Sequence, residues 1–495
     1  MNENYNIKNS LNLFFVLLFT LLIGTLSSID RINIMLFFVV TFTLLLILII
    51  IKQKSINLIL LHGLFIFVAI ENNYIIFGIG IIHIYMILIL IMYFLSCYRV
   101  KTFSLKENDL QLYYLVAMYM FFSSVGYITM EGVSPINGFI KAFKIIILPT
   151  FIVFYLFHEI KTKEVLEKVI KTLIITSTIF SIIGIVQYLS DGLMLSGLLT
   201  NHRYLGLFNK MDLYINNSDI QHIRSFVPDT NTFRLHGSFY AHNSFAGFVG
   251  SVAPLTLIFI LKKDINRVLF TIFLIIQTIA VYLTFSRTGL LTLIVAYLIV
   301  FIFYNRHLKI VGIVIKGIGL FLFTFVGLAL YLFMGFGESD LRFLNFNLGN
   351  ISEFSDRVKI WEITIIQSKG NLWFGNGLDF LDKNLTSFLI YNDVSPHNVF
   401  LHILYSSGLI SLLLIIILLI IQVIKFFKVL NLELEQSDQI ILIALFSSMI
   451  SFIGSGITES LFINLNLKML FWIILSLFFI YYKIATKQEG TGNDV

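Results

Sequence analysis

Residues 393–410 read DVSPHNVFLHILYSSGLI, from Asp393 to Ile410. They close a polar interruption that opens at Gly335-Phe336-Gly337-Glu338, and a Pro396-His397-Asn398 corner then leads into an apolar run. That corner decides the fold. A polar corner followed by roughly 20 apolar residues marks a helix entering a hydrocarbon core, and such runs recur from one end of the chain to the other. The 495 residues are 58% hydrophobic and 13% charged, with a mean hydropathy of +0.91, whereas a soluble domain carries about 25% charged residues. Apolar residues come in solid runs and do not alternate, so the case for a β-barrel is poor. The fold class is an all-α polytopic integral membrane protein.

Working outward from this corner, length and apolarity predict about fourteen spans, or 12–14 allowing for miscounting. They fall near 11–29, 33–51, 56–71, 73–97, 111–129, 137–157, 165–188, 242–261, 267–285, 287–304, 310–334, 397–422, 438–458 and 466–483. Lys and Arg concentrate in alternate connections, among them Lys52 and Lys54, Lys161 and Lys163, Lys262 and Arg267, Arg306 and Lys309, and Lys425 and Lys428. The intervening connections, such as Glu131-Gly132 and Glu459-Ser460, are poor in both. By the positive-inside rule the first set faces the cytoplasm, with both termini inside. The polar N-terminus, Met1 to Ser10, precedes an apolar run with no small-residue cleavage site and reads as a retained first helix.

Two connections, 189–241 and 335–396, are far longer than the rest and fall on the outer side. Loops of that length are functional or disordered, and interspersed aromatic and aliphatic residues argue for order. In the second, Ile351, Phe354, Val358, Trp361 and Ile365 repeat at helical spacing, opposite Glu353, Asp356, Lys359 and Glu362. The pattern suits a helix lying in the outer interface or one packed on the loop's own small core. The single cysteine, Cys97, excludes a disulfide framework and a cysteine metal site. The net charge of +6 and pI near 9.0 follow from the cytoplasmic loops and do not indicate nucleic-acid binding. There is no phosphate-binding glycine loop and no separate soluble catalytic domain, so any chemistry is built from loops and helix ends.

Three corners bring Arg or His to the outer surface. The first runs from Thr232 through Arg234, His236 and Gly237 to His242, Asn243 and Gly247; the second is Thr284-Phe285-Ser286-Arg287-Thr288-Gly289; the third is Ser395-Pro396-His397-Asn398. Any one Arg at a helix end is as well read as a snorkelling anchor, and His397 alone as an interfacial histidine. Arg287 is hardest to read so, because it lies on the side poor in positive charge and in a connection too short to need an anchor. Together the corners suit a phosphate. Guanidinium binds it in bidentate fashion at any physiological pH, helix N-termini at His242 and His397 add donors, and a neutral histidine accepts a proton from an attacking hydroxyl. Lys141 and Lys144, near the outer end of the sixth span, either snorkel outward or add a phosphate contact.

The ordered set of Arg234, Gly237, Asn243 and Ala246, then Thr284–Gly289, then Asp356, Arg357 and Trp361, then Phe374-Gly375-Asn376-Gly377, then His397–Ile410 resembles the O-antigen ligase and O-antigen polymerase superfamily of polytopic membrane glycosyltransferases. The resemblance covers roughly residues 230–480, with Glu459 before the last span, while residues 1–130 match nothing in it. It divides the chain into N-terminal helices, 1–130, and a ligase/polymerase-like membrane domain, 131–495, with outer loops 189–241 and 335–396. It implies a GT-C-like enzyme in the bacterial cytoplasmic membrane, with its site on the outer face, that transfers a glycan from an undecaprenyl pyrophosphate carrier to an acceptor hydroxyl without metal or cofactor. By motif position, Arg287 grips the pyrophosphate with Arg234 assisting, and His397 is the base or orients the acceptor. His236 and Asn243 count among the substrate-binding candidates, Asn398 caps its helix or contacts substrate, and Arg357 and Trp361 hold the loop over the site. Asp356, Asp393 and Glu459 are alternative bases.

The leading function is a repeat-unit polymerase of O-antigen or capsule type, because two long Arg-bearing loops (Arg203, Arg224 and Arg234; Arg342 and Arg357) suit two pyrophosphate-carrying substrates. The alternative is an O-antigen ligase with the same donor and a lipid A core or protein acceptor. A flippase for lipid-linked sugars ranks third, since polar groups crowd the outer helix ends and not mid-depth. Partners are the carrier-linked glycan, the acceptor glycan, membrane lipids and, as a further candidate, a chain-length regulator.

Overall fold

The computed structural model describes residues 63–65, 68–69, 75–76, 79–100, 107–130, 132–189, 234–239, 241–262, 264–304, 350–377, 395–432 and 434–492. The expected spans 11–29, 33–51 and 310–334, most of 56–71, and most of both long loops lie outside these residues. So do Arg203, Arg224, Arg342, Asp393 and the side chain of Asp356. The described chain is helical apart from a two-residue antiparallel pairing of Ile75–Ile76 with Ile79–Gly80. The helices are α1 (Ile81–Val100), α2 (Glu107–Ile128), α3 (Pro135–Glu159), α4 (Lys163–Leu189), α5 (His242–Leu261), α6 (Arg267–Leu283), α7 (Arg287–Tyr304), α8 (Asn350–Ser368), α9 (Val399–Leu430), α10 (Gln436–Thr458) and α11 (Leu465–Gly492). Seven of them, α3, α4, α5, α7, α9, α10 and α11, are long and apolar enough to cross a membrane. Each expected span from 111–129 to 287–304, and each from 397–422 onward, coincides with a helix. The protein is a multi-pass membrane protein.

Helices α5, α10 and α11 form the centre: 78% of the α5 span is buried against 22% of the α7 span. Small residues let them approach closely, as is usual between membrane helices. A Cβ added at Gly289 of α7 would lie 2.7 Å from that of Ala246 in α5. Prolines inside the helices leave carbonyls without their usual donors, and neighbours supply replacements. Pro254 deprives the Gly250 carbonyl of α5, which accepts from Ser451 Oγ of α10 at 2.9 Å. Pro149 deprives the Ile145 carbonyl within a π-helical turn of α3 (Phe143–Ile147), and this carbonyl accepts from Lys468 Nζ of α11 at 3.1 Å. Lys468 is only 2% exposed, so the polar demand of a buried ammonium and that of an orphaned carbonyl offset one another.

The two ends of the bundle differ. At one end Lys163 at the start of α4 pairs with Asp438 at the start of α10, Lys171 with Asp264 (2.8 Å) and Lys262 with Glu167 (2.8 Å). At the other end the three polar corners meet.

Candidate functional site

Two of the corners share one construction. Before α7, Phe285 is left-handed (φ +52°), and Ser286 then caps the helix by accepting the Gly289 N–H at 3.3 Å. Before α9, His397 is left-handed (φ +47°), and Asn398 caps the helix by accepting the N–H groups of Phe400 (2.9 Å) and Leu401 (3.1 Å). A left-handed residue other than glycine costs on the order of 1–3 kcal/mol, and such residues collect at functional corners where the surroundings hold them in place. Here Asn398 Nδ2 donates to the Ile457 carbonyl at 2.9 Å, and its N–H to Ser460 Oγ at 3.3 Å, stapling α9 to the end of α10. The α7 corner is fastened to the same place, with Thr458 Oγ1 donating to Thr288 Oγ1 at 2.8 Å. Arg287 stands exposed on the first turn beside it.

The third corner leads into α5. The Leu235 N–H donates to the Leu283 carbonyl at the end of α6 (3.1 Å), and Gln187 Nε2 of α4 donates to the Gly237 carbonyl (3.0 Å). Buried His236 bonds through Nδ1 to the Phe239 carbonyl at 2.8 Å, serving the turn itself. Arg234 Nη1 reaches His242 Nε2 at 2.9 Å. A guanidinium only donates, so this histidine nitrogen accepts.

Glu459, the residue that ends α10, joins the corners. Its Oε1 accepts from Asn243 Nδ2 of α5 at 2.5 Å and pairs with Arg357 Nη2 of α8 at 3.5 Å. Its Oε2 lies 3.4 Å from His397 Nδ1. Arg357 Nη1 also donates to the Thr458 carbonyl at 3.2 Å. Burial pushes the Glu459 carboxyl upward, but the hydrogen bond and charge of His397, with Arg357 and His242, outweigh it and hold the group below its ordinary value. The corners of α5 and α9 thus meet on one carboxylate that Arg357 also pairs with, and the start of α7 is fastened to the neighbouring Thr458, an arrangement of helix N-termini suited to anions.

Behind the site, the Phe374–Gly377 segment straps α9. Gly408 (φ +84°, ψ 174°) breaks α9 between a first part carrying the corner and a second, longer part. The break frees two carbonyls and two N–H groups, and the strap satisfies all four. Asn376 and Gly377 donate to the Tyr405 and Ser406 carbonyls (2.8 and 3.0 Å), while Leu409 and Ile410 donate to the Leu372 and Trp373 carbonyls (2.8 and 3.4 Å). Gly375, Gly377 and Gly408 are all left-handed, and a Cβ at Gly408 would come within 2.3 Å of the Trp373 carbonyl oxygen. Lys141 donates to the Gly377 carbonyl at 3.1 Å and lies over the Tyr127 ring. It therefore turns inward to the strap; the sequence suggests an outward anchor or a phosphate contact. Helix α8 packs on α9 through Ile360 and Ile363 against Tyr405. Val358 and Ile365, expected on its apolar packing face, are about half exposed. Thr364 and Ser368 take the buried positions because their hydroxyls donate to their own helix carbonyls at 2.7 Å each, which makes them acceptable packing surface.

The structure thus brings Asn243, Arg357, Asn398 and His397 to one point, with Arg287 on the adjoining helix and Arg234 paired to His242. Glu459, which sequence reasoning ranks among alternative bases, is the hub. Its signal is an acidic residue at the end of a span in a connection poor in Lys and Arg.

Fold and corners define a multi-pass membrane protein with a cationic site at one end of its helix bundle. Residues 270–416 match the family model described as O-antigen ligase, a segment that includes Arg287, Arg357, the strap, His397 and Asn398. Over this segment the match supports the resemblance to the O-antigen ligase and polymerase superfamily, and with it a glycan ligase or polymerase type of activity. No curated protein matches the chain.

Proposed function

We propose that the protein is a polysaccharide repeat-unit polymerase of the cytoplasmic membrane, acting on its outer face. It transfers a glycan from undecaprenyl pyrophosphate to an acceptor sugar hydroxyl. The observation that carries this reading is the meeting of Asn243, Arg357 and His397 on Glu459, with Arg234 paired to His242 at the α5 corner and Arg287 exposed at the α7 corner fastened to Thr458. Arg287, assisted by Arg234, binds the leaving pyrophosphate, because a guanidinium fork matches phosphate oxygens. His397 takes the proton of the acceptor hydroxyl as that oxygen attacks the anomeric carbon, and displacement inverts the centre. Stabilisation of the leaving group is the larger contribution; the base adds about 10²–10⁴-fold. Asn243, Arg357 and Asn398 hold the corners together, and His236 supports the first corner from within.

A ligase, with the same donor and a lipid A core or protein as acceptor, is the second reading; the ligase character of the matched family favours it. The glycan profile of cells lacking the gene, resolved by size and by attachment, separates the two. Single repeat units on the usual acceptor identify a polymerase, and full-length chains stranded on the carrier identify a ligase. A wild-type profile restored by both Arg287→Ala and His397→Ala would remove the three corners from the chemistry and reopen the flippase reading.

A further inference from the structure

Proton transfer by His397, the reading on which this inference rests, requires the ring to present an unprotonated nitrogen to the acceptor hydroxyl. We propose that Glu459 is a positioning residue that holds His397 in the tautomer with its proton on Nδ1, so that Nε2 is the nitrogen presented. The two carboxylate oxygens are divided between tasks. Oε1 is held by Asn243 Nδ2 (2.5 Å) and Arg357 Nη2 (3.5 Å), from α5 and α8, which fixes the plane of the carboxylate. Oε2 is left to His397 Nδ1 at 3.4 Å. A carboxylate accepts and does not donate, so the ring nitrogen facing it bears the hydrogen, and the neutral imidazole then accepts at Nε2. Among the described residues, His397 has no other hydrogen-bond partner for its ring.

The same geometry argues against Glu459 as the base itself. Asn243, Arg357 and His397 all address its oxygens, and its carboxyl is held below the ordinary range, so it is ionised but a poor proton acceptor. In the transfer step the acceptor O–H proton passes to Nε2 while its oxygen bonds to the anomeric carbon. The bond from that carbon to the phosphate oxygen breaks, and the pyrophosphate leaves with the electron pair. The imidazolium so formed keeps its Nδ1–H against Glu459, which stabilises the new charge. Among the described residues Glu459 at the end of α10 faces this ring, and Arg357 on α8 and His242 at the α5 corner act on the same carboxylate. Of these only Glu459 is anionic.

Full-length protein in lipid nanodiscs, labelled with ring ¹⁵N histidine, tests this directly, the His397 signals being those lost in His397→Gln. Wild type is expected to show a protonated Nδ1 and an unprotonated Nε2 in its neutral ring. In Glu459→Gln the neutral ring is expected to become a mixture of both tautomers, since a side-chain amide can either accept from or donate to Nδ1. Transfer is measured in parallel, using lipid-linked glycan extracted from the native host. Its turnover falls while KM for the lipid-linked glycan stays within about twofold, as expected when an interaction made only in the transition state is lost. If Glu459→Gln fails to fold, Glu459→Asp carries the test, because its shorter reach predicts a mixed tautomer in a folded protein. A tautomer unchanged in the folded variant overturns the inference and leaves the transfer reading intact. Wild-type transfer by His397→Ala overturns the transfer reading instead, whatever the tautomer.

Discussion

The two ends of the helix bundle use charge in opposite ways. At the end where α4 and α10 begin, three cation–carboxylate pairs, Lys163–Asp438, Lys171–Asp264 and Lys262–Glu167, each join two elements. At the other end, among the described residues, one carboxylate, Glu459, is shared by Asn243, Arg357 and His397, with Arg234 and Arg287 at the neighbouring corners. Each matched pair is locally neutral and pins one helix end to another. A carboxylate shared among several donors, with further guanidinium groups at the same corners, is a place where an anion can be met, and among the described residues the left-handed non-glycine residues Phe285 and His397 occur there.

The largest break in this comparison comes at Arg287. Arg287→Ala is expected to lower transfer by about 10²–10³-fold, and Arg287→Lys to lower it sharply as well, because charge without the fork does not hold a phosphate in bidentate fashion. Thermal stability should barely change, since the side chain is exposed; near-normal turnover in the Lys variant would sink the pyrophosphate assignment. Next in size is Gly408→Ala, which forces a Cβ into a left-handed position 2.3 Å from the Trp373 carbonyl oxygen. A stability loss of about 2 kcal/mol is expected in thermal unfolding in detergent, together with reduced transfer.

Acidity sharpens the contrast further. The Glu459 carboxyl is held below its ordinary 4.5, so its stabilising contribution is complete above that value and disappears as pH falls through the depressed one. Wild-type melting should therefore drop on acidification below pH 4.5 by more than that of Glu459→Gln. At the matched end Asp438→Asn is expected to cost about 1–3 kcal/mol, because the Lys163 ammonium loses its buried carboxylate partner, and to leave transfer unchanged. A large fall in transfer from that variant would show that the two ends are not independent.

Much of the architecture is legible in the residues alone. Apolar runs locate the described helices because a membrane helix must satisfy its own backbone, and alternation of Lys and Arg sorts the corners onto one end. Arg287, His397 and Asn243 stand out because each lies at the first turn of a span. The role of Glu459 is not legible, since its partners lie 62 to 216 positions away in the chain and no local pattern encodes that meeting. Gly408 is equally silent. A glycine within a membrane helix reads as packing, and only the four hydrogen bonds from residues 372–377 reveal a break. The inward turn of Lys141 depends on the same strap.

The strap also divides the loop mechanically. Residues 372–377 are clamped to the break in α9, and Asn398 is stapled to α10, so both ends of the stretch 378–394 are anchored independently of what it contains. Closing a longer stretch between fixed anchors costs only about 0.6 kcal/mol for each doubling of its length. A change in its length is expected to leave the histidine corner in place. The position of that corner is set by the clamps on either side and not by the length of chain between them.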